Sequence, residues 1–291
     1  METSWIYLWP LVLMGVAGIL LLVMVLMGAN LVLGLLVASL YGLCPKEVLF
    51  ESVASRVRNK QVEENIRATF RMECLEPPPP SCLFIWQPHG LISVSSVMFN
   101  GGLCKHPNYR ANHTVTLPFY HYFPVVGDLV RHLGSIPSDS GSIAKTLRRG
   151  ESVSVMLGGV REMLDARGTH MKLYVRKRTG IFRIALETGA PLVPVLTYGE
   201  NEMFPRSDAV WATTLNQYLH EYMGMAVGIP TWKALQNWFE LSYKPLKPIV
   251  THVGAPIPAT GDIPTLRNAY IKAVEDLFKK TAPPEYTLEI V

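Results

Sequence analysis

From Thr3 to Pro45 the chain carries no charged side chain, and the run "WIYLWPLVLMGVAGILLLVMVLMGANLVLGLLVASLYGL" fills that stretch. About 20 apolar residues suffice to cross a bilayer once, so the run is too long and too apolar for the interior of a soluble domain and reads as membrane-embedded. It has no basic start and no small-residue cleavage site behind a short apolar core, which sets it apart from a removable signal peptide. Gly28-Ala29-Asn30 offers a turn that divides the run into two unequal arms. The second arm, Leu31 to Leu43, is short for a full crossing, so the spacing favours a hairpin over one long tilted span. Lys46, Arg56, Arg58 and Lys60 follow at once, and the preference of basic residues for the cytoplasmic side places the rest of the chain in the cytosol.

The apolar run accounts for a composition of 49% hydrophobic and only 17% charged residues, which an ordinary soluble enzyme does not show. A net charge of +4 is too mild to point to nucleic acid. Its distribution says more: between Lys145 and Arg183 ten basic residues stand against Glu151, Glu162 and Asp165. Such a patch suits anionic headgroups or a phosphorylated ligand, and on charge alone a solvated face fits as well. The four cysteines, Cys44, Cys74, Cys82 and Cys104, show no close pair and no metal-type spacing, in keeping with a reduced compartment and no metal site. Asn112-His113-Thr114 has the form of a glycosylation acceptor that a cytosolic domain would not use.

Three regions follow from the pattern. Residues 1–45 form the membrane hairpin. Residues 46–80 begin as an amphipathic helix over 46–72 and end in the stiff spacer "EPPPP". The globular domain takes up 81–291. Within it "CLFIWQ", "HTVTLPF", "ESVSVML", "KLYVR", "PLVPVLTYG" and "PIVTHVG" read as strands, with helical runs between them. The helix over "SIAKTLRR" has Ser138 as its capping hydroxyl and Gly150 at its close; that over "TGIFRIALETGA" lies between Thr179 and Gly189. A last amphipathic helix over 262–280, capped by Asp262 or Thr265, reads as packing only. Strand and helix in turn predict an α/β fold, a layered, largely parallel sheet with flanking helices whose sites lie beyond the strand ends. The aromatic-rich segment 203–243 reads either as an interfacial belt or as core.

His89 leaves the sheet at such a strand end, in "WQPHG", with Pro88 restricting the backbone and Gly90 permitting close approach. There is no Gly-x-Ser-x-Gly elbow, no His-Glu-x-x-His, no Walker loop and no dinucleotide fingerprint, which argues against serine nucleophiles and nucleotide cofactors. A lone histidine is more often structural than catalytic. Position alone leaves both readings of His89 open.

The order of further blocks resembles the diacylglycerol acyltransferase family of the second type, which also takes in monoacylglycerol and wax-alcohol acyltransferases. Pro88-His89-Gly90 resembles its His-Pro-His-Gly block. Tyr122-Phe123-Pro124, "HLGSIP" at 132–137 and "LGGVRE" at 157–162 follow in the family's sequence. "RTGIFRIALETGAPLVPVLTYGENEMF" from Arg178 to Phe204 is the most specific match, and "KPIVTHVGAPI" and the final "EYTLEIV" resemble the last two blocks. The resemblance implies a glycerolipid-acyltransferase-like α/β sheet behind a membrane hairpin. It also implies a membrane acyltransferase that moves a fatty acyl group from acyl-CoA, a co-substrate rather than a cofactor, to a neutral lipid acceptor drawn from the bilayer. The acceptor expected is diacylglycerol, giving triacylglycerol; monoacylglycerol or a long-chain alcohol is the alternative, and a catalytically silent lipid-binding membrane protein is a third reading. The expected location is the endoplasmic reticulum membrane, with lipid droplets a further site, and the oligomeric state stays open.

Acyl transfer to a hydroxyl needs a base for the hydroxyl proton, donors for a tetrahedral oxyanion and an acid for the departing thiolate. The resemblance makes His89 that base. Amides near Gly90 or Gly158-Gly159 are expected to face the oxyanion, and Lys177, Arg178 and Arg183 to hold coenzyme A phosphates. In the broader glycerolipid acyltransferases an Asp five positions after the histidine fixes its tautomer; here that position is Val94. Glu162, after the glycine pair, is the first candidate for this orienting role and Glu200 the second. Gln87 stands where the family often has a first histidine, and Ser140 where its second block carries an arginine. The amide of Gln87 can hydrogen-bond but cannot exchange a proton, so it is expected to support the site.

Overall fold

The computed structural model of the chain describes residues 60–102, 104–122, 126–224 and 226–291. The expected membrane hairpin lies outside the described residues, as do residues 46–59 of the expected amphipathic helix. Among the described residues no helix is long and apolar enough to cross a membrane.

The fold is mixed α/β around one seven-stranded sheet. Its strands are β1 (Phe70–Cys74), β2 (Leu83–Gln87), β3 (His113–Thr116), β4 (Ile136–Pro137), β5 (Val153–Val155), β7 (Leu192–Tyr198) and β8 (Ile249–Val253). In space the order is β1-β8-β7-β2-β5-β3-β4. From β7 to β4 every pairing is parallel; β8 runs antiparallel to β7 and carries β1 parallel to itself. β6 (His170–Leu173) pairs instead with β9 (Thr287–Ile290) in a separate two-stranded ribbon. The sheet therefore takes in Phe70–Cys74, upstream of Ser81 where the sequence suggested the domain begins. There α1 (Lys60–Thr69) ends and the chain alternates buried and exposed residues through "FRMEC", the period-2 pattern of a strand with one covered face.

The central strands β2 and β7 are buried along their whole length, as expected for parallel strands with helices on both faces. Alternation along β2 assigns Leu83 and Ile85 to one core and Phe84 and Trp86 to the other. The first core is closed by α5 (Ser140–Arg148), α7 (Gly180–Thr188) and α11 (Ile263–Thr281), which bring Ile143, Phe182 and Tyr270 against the sheet. The second is closed by α2 (Val94–Asn100) and α10 (Trp232–Glu240), through Met98, Phe99 and Ala234. Trp86 buries its indole there and satisfies its N–H on Ser154 Oγ at 3.1 Å. Asp139, rather than Ser138, caps α5, its Oδ1 accepting from the Ser142 amide at 2.8 Å. Asp262 caps α11 in the same way through the Thr265 amide.

The other helices are α3 (Pro118–Tyr122), α4 (Val126–His132), α6 (Gly159–Asp165), α8 (Glu200–Met203) and α9 (Val210–Met223). α9 belongs to an excursion closed at its base by Ser207 N–H to Ile229 O at 2.7 Å and Thr231 N–H to Pro205 O at 3.0 Å. α1 is tied to the end of α10, with Asn65 Nδ2 donating to Leu241 O at 3.1 Å.

Candidate active site

Neighbouring parallel strands deliver their carboxyl ends to one edge of a sheet, and loops meet there. Here β2 lies between β7 and β5. The turn Pro88-His89-Gly90 after β2 is therefore flanked on one side by Gly199-Glu200 after β7, and on the other by Gly158-Gly159 and α6 after β5. Three blocks far apart in sequence meet for this topological reason.

His89 is half-buried, and its Nδ1 lies 3.0 Å from the carbonyl oxygen of Gly90. A carbonyl can only accept, so Nδ1 carries the proton and Nε2 is left with a lone pair. Burial lowers the imidazole pKa below its ordinary value of 6.5 and outweighs the backbone contacts that raise it. The ring is thus neutral at pH 7, with its basic nitrogen defined. Gly90 adopts φ +60, and a Cβ there would stand 3.3 Å from Asn201 Oδ1 and 3.7 Å from Glu200 Cγ. Only glycine combines this backbone with so near an approach to the Glu200 turn.

Glu162 is buried to 1% exposure beneath the turn. Its oxygens have no hydrogen-bond partner of good geometry. Burial pushes the carboxyl up to about 8, against the opposing pull of the Gly158 amide, the Arg178 guanidinium, the His89 amide and the Gln87 carboxamide. The carboxylate folds back over the start of its own helix: a Cβ on Gly158 would fall 2.0 Å from Glu162 Oε2. A side chain at position 158 and Glu162 in this place exclude each other. Glu200 is the second buried carboxyl, pushed up to about 7 by burial and opposed by contacts to Ser95 and Val94. The Ser95 amide, at the start of α2, approaches its Oε1 at 3.4 Å. Both acids therefore bear on the backbone around His89, from opposite sides. The ring nitrogen is held by a peptide carbonyl, the orienting group that a search restricted to side chains does not find.

Gln87 shares the face of Leu83 and Ile85, and so points toward α11. There Tyr270 Oη donates to its Oε1 at 2.8 Å, while its Nε2 is without a partner of good geometry and faces Glu162. Tyr270 itself is fully buried. Tyr270, Gln87 and Glu162 thus form a buried polar column under the His89 turn. Tyr270 was not legible as a site residue, because it occupies an ordinary inner position of an amphipathic helix beside Leu266, Ile271 and Val274.

Arg178 Nη2 donates to Gly158 O at 2.8 Å and so clamps the glycine loop. Lys177, in the turn before α7, and Arg183, in its first turn, are both exposed, near that clamp in sequence but turned to solvent. The Gly159 amide donates to Met156 O at 3.1 Å and the Gly158 amide faces Glu162, so both glycine amides already have partners. Ser140 sits at the first position of α5, exposed. Among the described residues no group of histidine, cysteine and carboxylate side chains is arranged to hold a metal ion.

The fold and this turn define a class: an α/β protein with a neutral imidazole base at the carboxyl end of a central parallel strand. The comparisons with known proteins are more specific. Residues 71–287 match the diacylglycerol acyltransferase family, and the chain belongs to that family. The human 2-acylglycerol O-acyltransferase 1 is 30% identical over 223 residues, covering 70% of this chain and 66% of that protein. The diacylglycerol O-acyltransferase 2 of Dictyostelium discoideum is 28% identical over 232 residues, covering 70% and 66%. The diacylglycerol O-acyltransferase 2A of Umbelopsis ramanniana is 28% identical over 224 residues, covering 70% and 62%. The chain thus spans just under two thirds of the length of these curated relatives. A crystal structure of the 1-acyl-sn-glycerophosphate acyltransferase PlsC from Thermotoga maritima matches with a TM-score of 0.47 and 14% identity, over 93% of this chain and 98% of that one.

Proposed function

We propose that this protein is an acyl-CoA-dependent O-acyltransferase that converts diacylglycerol to triacylglycerol at the cytosolic face of the endoplasmic reticulum membrane, and on lipid droplets. One observation carries the chemistry: His89 has its Nδ1 proton committed to the Gly90 carbonyl, so that Nε2 is the free base. Membership of the diacylglycerol acyltransferase family supports the reaction. The uncharged run from Thr3 to Pro45 supports the membrane.

In the reaction, the acceptor hydroxyl gives its proton to His89 Nε2 as its oxygen attacks the thioester carbonyl. The tetrahedral oxyanion faces the backbone of the Gly90 turn. Its collapse re-forms the carbonyl, breaks the carbon–sulfur bond and expels the coenzyme A thiolate, which recovers the proton from the imidazolium. The enzyme returns to its starting state with no acyl-enzyme and no cofactor. Glu162, Glu200 and Gln87 act by fixing the turn from beneath. Lys177 and Arg183, with the donors of Arg178 not used on Gly158, lie where they can hold the phosphates of the donor.

A second acceptor is favoured by one finding: a 30% identical relative is named as a 2-acylglycerol O-acyltransferase. Full-length protein with labelled acyl-CoA and a panel of diacylglycerol, 2-acylglycerol and long-chain alcohol decides. The expected result is ester on diacylglycerol, abolished in His89→Ala with membrane insertion unchanged. Ester on 2-acylglycerol alone replaces the acceptor, and turnover retained by the variant removes His89 as base.

A further inference from the structure

α9 buries a narrow inner face, Ala212 and Asn216, the latter accepting from the Val227 amide at 2.7 Å, and turns a stripe of large side chains outward at i, i+4, i+7 and i+11: Trp211, Leu215, Tyr218 and Tyr222. Trp211 is 63%, Tyr218 59% and Tyr222 68% exposed, and Trp232 at the start of α10 adds another ring at 71%. Exposed apolar residues are ordinarily scattered singly; a continuous stripe on one helix marks a docking face.

The place of this face in the fold indicates what covers it. After α9 the chain returns onto the catalytic turn, so closely that a Cβ on Gly228 would lie 2.9 Å from Leu91 O. Just past the neighbouring helix α10 stands Leu241, whose carbonyl accepts from Asn65 of α1. α1 is the first described element after the uncharged run of Thr3 to Pro45. Tether, aromatic face and catalytic turn therefore adjoin one another on the side of the sheet covered by α10. The chemistry of the face is that of a lipid boundary, since Trp and Tyr join an apolar ring to a polar tip and concentrate between headgroups and chains. Thr214, Gln217 and Glu221 line the adjacent solvent edge of α9, and Lys233 stands beside Trp232, suited to anionic headgroups.

We propose that the outer face of α9, continued by Trp232, docks on the surface of a lipid bilayer, with the helix in the membrane plane and the His89 turn carried at the headgroup boundary. This holds whichever acceptor the enzyme uses. The test takes the full-length chain in phosphatidylcholine vesicles containing an anionic lipid, with a nitroxide label on Tyr218→Cys and, separately, on Lys272→Cys. Lys272 is exposed on α11, which covers the opposite face of the sheet. Collision with oxygen, which concentrates in lipid, is compared with collision with a water-soluble nickel chelate, after subtraction of the signal from the unsubstituted chain. The expected oxygen-to-nickel ratio is several-fold higher at position 218 than at position 272. Equal, nickel-dominated ratios overturn the proposal by showing both faces in water. Shielding of position 218 from both reagents also overturns it, because the face is then covered by protein, either the chain's own apolar run or a second copy.

Discussion

Replacing Glu162 by glutamine keeps the shape of the side chain beneath the His89 turn and removes its only titration. In the wild-type protein burial raises this carboxyl from 4.5 to about 8. Between those two values the folded state holds a proton that the unfolded chain has already released, so stability falls as pH rises through the window and levels off above about 8. At about 1.36 kcal/mol per pH unit the gap corresponds to about 5 kcal/mol, or a melting temperature difference of about 10 °C for a chain of this size. Glu200 is raised in the same direction, but it is common to both proteins and cancels in their comparison. The assay is thermal unfolding in detergent followed by intrinsic tryptophan fluorescence, since Trp86 is buried and meets solvent on unfolding. Glu162→Gln is expected to melt close to wild type near pH 4.5 and to gain on it steadily up to about pH 8. A difference independent of pH would show an ordinary carboxyl. A wild-type protein that gains on the variant as pH rises would mean that the Arg178 guanidinium, and not burial, governs Glu162.

Burial keeps the His89 pKa below 6.5, and the base form is the one present above the pKa. kcat/KM should therefore hold its plateau down through that value and fall only at lower pH, and an acid limb centred above 6.5 would refute this. Tyr270→Phe leaves the buried Gln87 Oε1 without its donor, at a cost of about 1–3 kcal/mol in stability. It should lower kcat with little change in the KM for acyl-CoA, and unchanged melting would remove Tyr270 from the column. Lys177→Ala and Arg183→Ala should raise the KM for acyl-CoA by about three- to tenfold and leave that for the acceptor unchanged; an unchanged donor KM places the phosphates elsewhere.

The role of base is what the family resemblance implies for His89, whereas the turn that carries it is legible because three local signals coincide: an unbroken apolar strand, a proline that ends it and a glycine that lets the chain turn. The same holds for β7 and α7, whose patterns are strong over their whole length. What the sequence hides is non-local or not specific to a residue type. β1 escapes because "FRMEC" follows directly on a helix and finds its partner only in β8, near the other end of the chain. Tyr270 looks like any inward residue of α11, and its hydroxyl acquires meaning only once Gln87 is known to lie opposite. The tautomer of His89 is set by a peptide carbonyl, which every residue possesses and no motif can mark. Glu162 and Glu200 stand out in the sequence beside glycines, but their place near the backbone of the His89 turn follows from the glycine at 158 and the closeness of Gly90.

The bond from Tyr270 to Gln87 joins positions 183 residues apart. While the chain is being made, β2 emerges early and α11 comes nearly last, so the His89 turn lacks its underpinning for most of synthesis. An immature polypeptide in this condition has the imidazole but no fixed geometry for it until the final helix has been translated and has folded back against the first strands.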